Sequence, residues 1–80
     1  MQIEVRLSGF LQRVGLPNGF LGGMLDLPDG AVVRDALKQV GVDDRAPWLI
    51  THNGELAQVG APLQDHDVLT IIPLISGGMY

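Results

Sequence analysis

The sequence predicts an α+β fold in which one main helix packs across a mixed sheet of four or five strands. Three observations carry this expectation. Residues 2–7 alternate polar and apolar side chains, a single stretch near 32–40 has helical periodicity, and residues 68–72 form a further strand-like apolar run. Eighty residues are enough for one small domain, since a chain of this size buries only about 60% of its unfolded surface. With 46% hydrophobic and 18% charged residues, the composition is that of a globular domain.

In the first strand, Ile3, Val5 and Leu7 fall on one face and Gln2, Glu4 and Arg6 on the other. Residues 8–23 are Gly-rich, with a turn signal at Pro17-Asn18-Gly19, and read as a loop. That loop carries Phe10, Leu11, Phe20 and Leu21. A small core takes its few aromatics, so Phe10 and Phe20 are expected to be buried and Trp48 to be packed. Residues 24–27 suit a second strand, stopped by Pro28-Asp29-Gly30.

The helix is expected over 32–40, where Val33, Ala36, Leu37 and Val40 make one apolar stripe. Gly41 is placed to terminate it. Val32 offers no side-chain oxygen at the N-cap, an omission worth about 0.5–2 kcal/mol. A third strand is expected over 47–52, followed by Asn53-Gly54, a strong hairpin-turn signal because both residues tolerate positive φ. A short strand near 56–59 and a last one over 68–72, ended by Pro73, complete the series. An opening hairpin, one helix and a returning C-terminal strand describe a β-grasp. A ferredoxin-like fold would want a second helix.

Composition excludes several function classes. A net charge of −4 argues against general nucleic-acid binding, which relies on basic patches. It suits a partner with a basic docking face. The polar alternation at the start is neither a signal h-region nor a membrane span. The chain has no cysteine, hence no thiol nucleophile or thiolate metal site, and this fits a reducing, cytoplasmic setting. His52 and His66 are far apart and show no metal-ligand spacing, so both are expected in structural or turn roles. Asp65 and Asp67 read as turn caps. No Ser-His-Asp order, phosphate loop or dinucleotide fingerprint is present.

The chain ends Ser76-Gly77-Gly78-Met79-Tyr80. A diglycine has no side chains to block a narrow channel and accepts almost any φ, so residues 1–75 are expected to form the domain and 76–80 a flexible tail. Met79-Tyr80 must be removed before Gly78 can offer a carboxylate.

Taken together, Asn53-Gly54-Glu55, then Asp65-His66-Asp67, the apolar strand, Pro73 and Ser76-Gly77-Gly78 resemble the MoaD/ThiS family of ubiquitin-like sulfur carriers. His66 stands where that family usually has Gly, and His tolerates the left-handed conformation such a turn requires. The resemblance implies a protein cosubstrate rather than an enzyme. A separate adenylating enzyme would join Gly78 to AMP using ATP and Mg²⁺, and the carrier itself would hold no permanent cofactor. Sulfur transfer to the adenylate would then give a Gly78 thiocarboxylate, with Gly77 as the slender approach to it. The Met79-Tyr80 extension implies trimming by a metallopeptidase, and a synthase large subunit is a further implied partner. The pathways within reach are molybdopterin, tungstopterin, thiamine, cysteine and tRNA sulfuration. A protein modifier conjugated through Gly78 and a non-covalent interaction subunit are the alternatives.

The last strand also suggests a recognition surface. Leu69 and Ile71 share one face, and Val68, Thr70 and Ile72 share the other, which polar Thr70 marks as exposed. Thr70, Ile72, Leu74, Ile75 and Ser76 are the expected partner-binding residues at the root of the tail. The competing possibility is that Ile72 closes the edge of the core.

Overall fold

In the computed structural model, which describes residues 1–43 and 48–74, seven elements follow in order. They are β1 (Gln2–Leu7), α1 (Leu11–Val14), β2 (Gly23–Asp26), α2 (Val33–Gln39), β3 (Trp48–His52), β4 (Glu55–Leu56) and β5 (Val68–Pro73). The sheet order is β2-β1-β5-β3-β4. β1 and β5 run parallel at its centre, and every other pairing is antiparallel. This is the β-grasp expected from the sequence, with α2 laid across one face.

The alternation in β1 buries Ile3, Val5 and Leu7, while β5 contributes Leu69 and Ile71 to the same face. The stripe Val33, Ala36 and Leu37 on α2, with Val40 at its C-cap, closes over them, each at most 3% exposed. Among the described residues, sixteen buried apolar side chains form one core. Leu11 from α1, Leu25 from β2, and Leu16, Leu27, Ala31, Val42 and Leu63 from the connecting segments complete it.

Several boundaries and one element differ from expectation. β2 begins one residue early and ends one early, at Asp26. β4 is only two residues, after which Ala57 N–H donates to the Ile50 carbonyl at 2.9 Å and the chain leaves the sheet. The stretch expected to be loop contains α1, a single turn that hides Leu11 at 2% exposure. Four residues are too few for periodicity to reveal. Pro17-Asn18-Gly19 does make its turn, with Gly19 N–H donating to the Leu16 carbonyl at 2.8 Å.

Both ends of α2 are tied into the fold. At the C-terminus, Gly41 (φ 84) donates to Lys38 O at 3.1 Å and Val42 to Leu37 O at 2.8 Å. That paired bonding is a Schellman motif, with Val42 and Leu37 both buried. At the N-terminus valine has no side-chain acceptor, so only the returning half of a capping box forms. Asp35 Oδ2 accepts the Val32 N–H at 2.9 Å. The next two amides, Val33 and Arg34, donate to Ala61 O (3.0 Å) and Val59 O (2.8 Å). The expected cost of the missing cap is therefore offset by loop carbonyls that the sequence pattern does not reveal.

Candidate functional site

The site is built on β5, whose side chains divide cleanly. Leu69 and Ile71 are fully buried, whereas Val68, Thr70 and Ile72 are half-buried on the face that α2 leaves open. The register aligns Leu49 with Ile72 and Thr51 with Thr70 across the β3 seam. It also sets Glu4 beside Val68 and Arg6 beside Thr70 across the β1 seam. At the margins stand exposed Leu56, opposite Thr51, and exposed Met24, opposite Glu4. Ile72 thus lies outside the buried core, beside Leu49 on the open face.

One margin of this face is charged. Arg6 Nε donates to Glu4 Oε2 at 2.7 Å, two residues apart on one side of β1. The mutual side-chain hydrogen bond, reinforced by the charge attraction, lowers the Glu4 carboxyl and raises the Arg6 guanidinium from their ordinary values. Both groups are solvated, so the pair orders the surface more than it stabilises the fold.

Past Ile72 the strand ends at Pro73, paired with Trp48, and Leu74 emerges 59% exposed. The turn before α1 braces this exit. Ser8 N–H donates to Ile71 O at 3.0 Å, and Gly9 packs so closely that a Cβ there would stand 3.1 Å from Pro73 Cγ. Gly9 also has φ 61, so the position excludes a side chain on two grounds. Next to it, Phe10 is 49% exposed, which corrects the expectation that it is buried. As the residue before the single turn of α1 it points outward when Leu11 points in. Phe20 and Trp48 do pack against the core, each partly buried.

The opposite end of β5 is held by polar groups. Asp67 Oδ2 meets His52 Nε2 at 2.7 Å and accepts the Gln64 N–H at 2.9 Å. Its Oδ1 accepts Asn53 Nδ2–H at 3.0 Å, and Asn53 Oδ1 accepts the Val68 N–H at 2.8 Å. Burial alone would raise the Asp67 pKa, but the hydrogen bonds from Asn53, His52 and Gln64 outweigh it and hold the carboxyl below its ordinary value. Asp65 Oδ1 takes the Gln2 N–H at 2.7 Å, and His66, with φ 71, donates its N–H to Gln2 O at 2.7 Å. These bonds fix β5 against both neighbours. A slip of one residue would turn Leu69 and Ile71 outward, so the cluster also sets which side chains stand on the open face.

The Asp65-His66-Asp67 pattern marks a turn but carries no sign that His52 and Asn53 meet Asp67. The only signal was that an Asn-Gly hairpin and an Asp-x-Asp turn flank two strands able to pair. The expected site residues Ile75, Ser76, Gly77 and Gly78 lie outside the described residues, as do Pro47 and the Met79-Tyr80 extension. Among the described residues no group of three or more His, Cys, Asp or Glu side chains is placed to hold a metal ion. Among the described residues no helix is long and apolar enough to cross a membrane.

The model of the ThiS family matches residues 20–78, from the end of the first loop through the diglycine. The chain belongs to the ThiS family. It is accordingly a small carrier protein of the ThiS/MoaD kind and not an enzyme. No curated protein matches it in sequence. Among solved structures, SAMP1 of Haloferax volcanii is 24% identical with a TM-score of 0.75, over 98% of this chain and 100% of that one. Subunit 1 or 2 in the molybdopterin-converting factor complex of Helicobacter pylori is 23% identical with a TM-score of 0.63, over 98% and 100%. At these identities the structural likeness establishes the shared β-grasp.

Proposed function

We propose that the protein is a sulfur carrier whose Gly78, once Met79-Tyr80 is removed, is adenylated and converted to a thiocarboxylate. The observation that carries this reading is the continuity of β5. One face of the strand is fixed in the core, the other is open and apolar at Ile72, and the chain runs on through Leu74 and Ile75 to Ser76-Gly77-Gly78. A partner gripping Thr70, Ile72, Leu74, Ile75 and Ser76 would have the two glycines aimed into its own catalytic pocket. The carrier supplies reach and recognition, and the partner supplies the electrostatic stabilisation of the reacting acyl group.

Under this reading an adenylating enzyme uses ATP and Mg²⁺ to activate Gly78, and a metallopeptidase trims the extension in the cytoplasm. The carrier binds no cofactor of its own. The Helicobacter pylori protein, solved as a complex of subunits 1 and 2 of its molybdopterin-converting factor, supports a synthase large subunit as a further partner. Molybdopterin or tungstopterin, thiamine, cysteine and thiolated tRNA are the destinations open to the sulfur. A second reading, a modifier conjugated through Gly78, is favoured by the likeness to the small archaeal modifier protein 1 of Haloferax volcanii.

The test is the intact mass of the protein isolated with its native peptidase, adenylating enzyme and sulfur donor. Loss of Met79-Tyr80 together with an oxygen-for-sulfur mass increase is expected. Retention of the dipeptide and an unchanged carboxylate would sink the reading. Replacing Gly78 with tryptophan should abolish activation; a protein that functions normally with that change is a non-covalent subunit.

A further inference from the structure

Four of the five cationic side chains are arginines, Arg6, Arg13, Arg34 and Arg45, and Lys38 is the one lysine in the sequence. The difference is chemical. A guanidinium stays protonated at any biological pH and does not act as an amine nucleophile, whereas a lysine Nζ gives up its proton and attacks acyl groups. The other primary amine, at Met1, donates to Leu27 O at 2.7 Å and lies 3.7 Å from Asp29 Oδ1, just beyond the end of the β1–β2 pairing. With no cysteine in the sequence, Lys38 is the one exposed amine nucleophile among the described residues.

Its position is also favourable. Lys38 lies in the last turn of α2 and is exposed, lining a shallow cleft with Arg34, Gly41 and Asp43. Helix α2 covers the core face of the sheet, so Lys38 projects on the side of the domain away from Thr70 and Ile72. A copy docked through its open sheet face therefore still presents this amine to solvent. The Schellman motif at Gly41 uses the backbone carbonyl of Lys38 and leaves the side chain uninvolved.

We infer that Lys38 is the site at which one copy of this chain accepts the activated glycine of another through an isopeptide bond. The inference rests on the reading that Gly78 is adenylated. In the step itself, unprotonated Lys38 Nζ attacks the carbonyl carbon of the Gly78 acyl-adenylate. A C–N bond forms, the C–O bond to the phosphate of AMP breaks, AMP leaves with the electron pair, and the nitrogen releases one proton to water. ATP, consumed by the adenylating enzyme, is the only co-reactant. A carrier with a single acceptor lysine gives linkages of one kind, and sulfide in excess diverts the same adenylate to the thiocarboxylate.

The experiment takes the chain ending at Gly78 with its adenylating enzyme, ATP and Mg²⁺, without a sulfur donor, and reads intact mass and tryptic peptides. A parallel reaction with hydroxylamine reports whether Gly78 is activated, through the hydroxamate. The expected result is a covalent dimer whose branched peptide joins residues 35–45, through Lys38, to residues 46–78 of a second copy, and whose formation is lost in K38R. Hydroxamate without dimer, or a dimer linked through the Met1 amine, overturns the inference and leaves the carrier reading standing. Absence of hydroxamate overturns both. K38R keeps the charge on an exposed helical position, so unchanged melting is expected and separates loss of the acceptor from loss of the fold.

Discussion

Ile71 and Ile72 are adjacent in the chain and identical in chemistry, yet the sheet gives them opposite tasks. Ile71 is fully buried beneath α2, opposite Ile50, while Ile72 lies half-buried on the open face beside Leu49. The period-2 geometry of a strand separates the two. One side of β5 holds the fold together, and the other stays open and half-buried. The polar cluster at Asp67 keeps them apart, because it fixes the register that decides which isoleucine faces which way.

The sharpest way to break the comparison is to place the same charge at each position. Ile71→Asp should cost about 4 kcal/mol or more, because an unpaired carboxylate would be buried in an apolar core. A small domain of this size has roughly that much stability to lose, so circular dichroism should show a largely unfolded protein. A well-folded Ile71→Asp variant would mean that α2 does not seal this face.

Removing the cluster that sets the register should have the next largest effect. Asp67→Ala leaves Asn53, His52 and the Gln64 N–H without their shared acceptor, a loss of about 1–3 kcal/mol. In a domain this small that corresponds to a drop in Tm of roughly 5–20 °C. Calorimetry of the purified variant checks it, and a shift within error would show that water replaces the carboxylate without penalty.

Ile72→Asp sharpens the comparison from the other side. Its stability should fall by about 1 kcal/mol, the span of strand propensities, and the protein should stay folded. Affinity for the adenylating enzyme should fall about tenfold or more, equivalent to about 1.4 kcal/mol, and titration calorimetry can measure it. Unfolding of this variant would instead assign Ile72 to the core edge.

The smallest effect concerns acidity. The Asp67 carboxyl is held below its ordinary value near 3.8, so its contribution is present above that pH and disappears as pH falls through the lowered folded value. The stability gap between the parent and Asp67→Asn should therefore be constant near neutrality and change only in strongly acidic buffer. A gap that already changes between pH 7 and pH 5 would point to a different group.

How much of this was legible in the sequence depended on whether the signal was local. The alternation of Ile3, Val5 and Leu7, the stripe from Val33 to Val40 with Gly41 behind it, and the Asn53-Gly54 turn (φ 54 and 89) each lie within a few residues. Those segments placed β1, α2 and the β3–β4 hairpin. What stayed hidden was either too short or too distant. α1 is one turn, and Phe10 faces solvent because Leu11 fills the interior position. The His52–Asp67 contact spans fifteen residues, and no periodicity announces it. The open face was half legible, since Thr70 marked its polarity, whereas its neighbours Leu49 and Thr51 emerge only from the pairing register.

The way α2 begins has a consequence for assembly of the molecule. Its first amides are satisfied by carbonyls at Val59 and Ala61, more than twenty residues downstream. A helix of seven residues has little intrinsic stability, and here its opening turn waits on a segment synthesised later. Excised as a peptide, it should be coil. Within the chain, helix and crossover must therefore consolidate together, and the domain should fold as a single cooperative unit whose rate is set by long-range closure instead of by helix propensity.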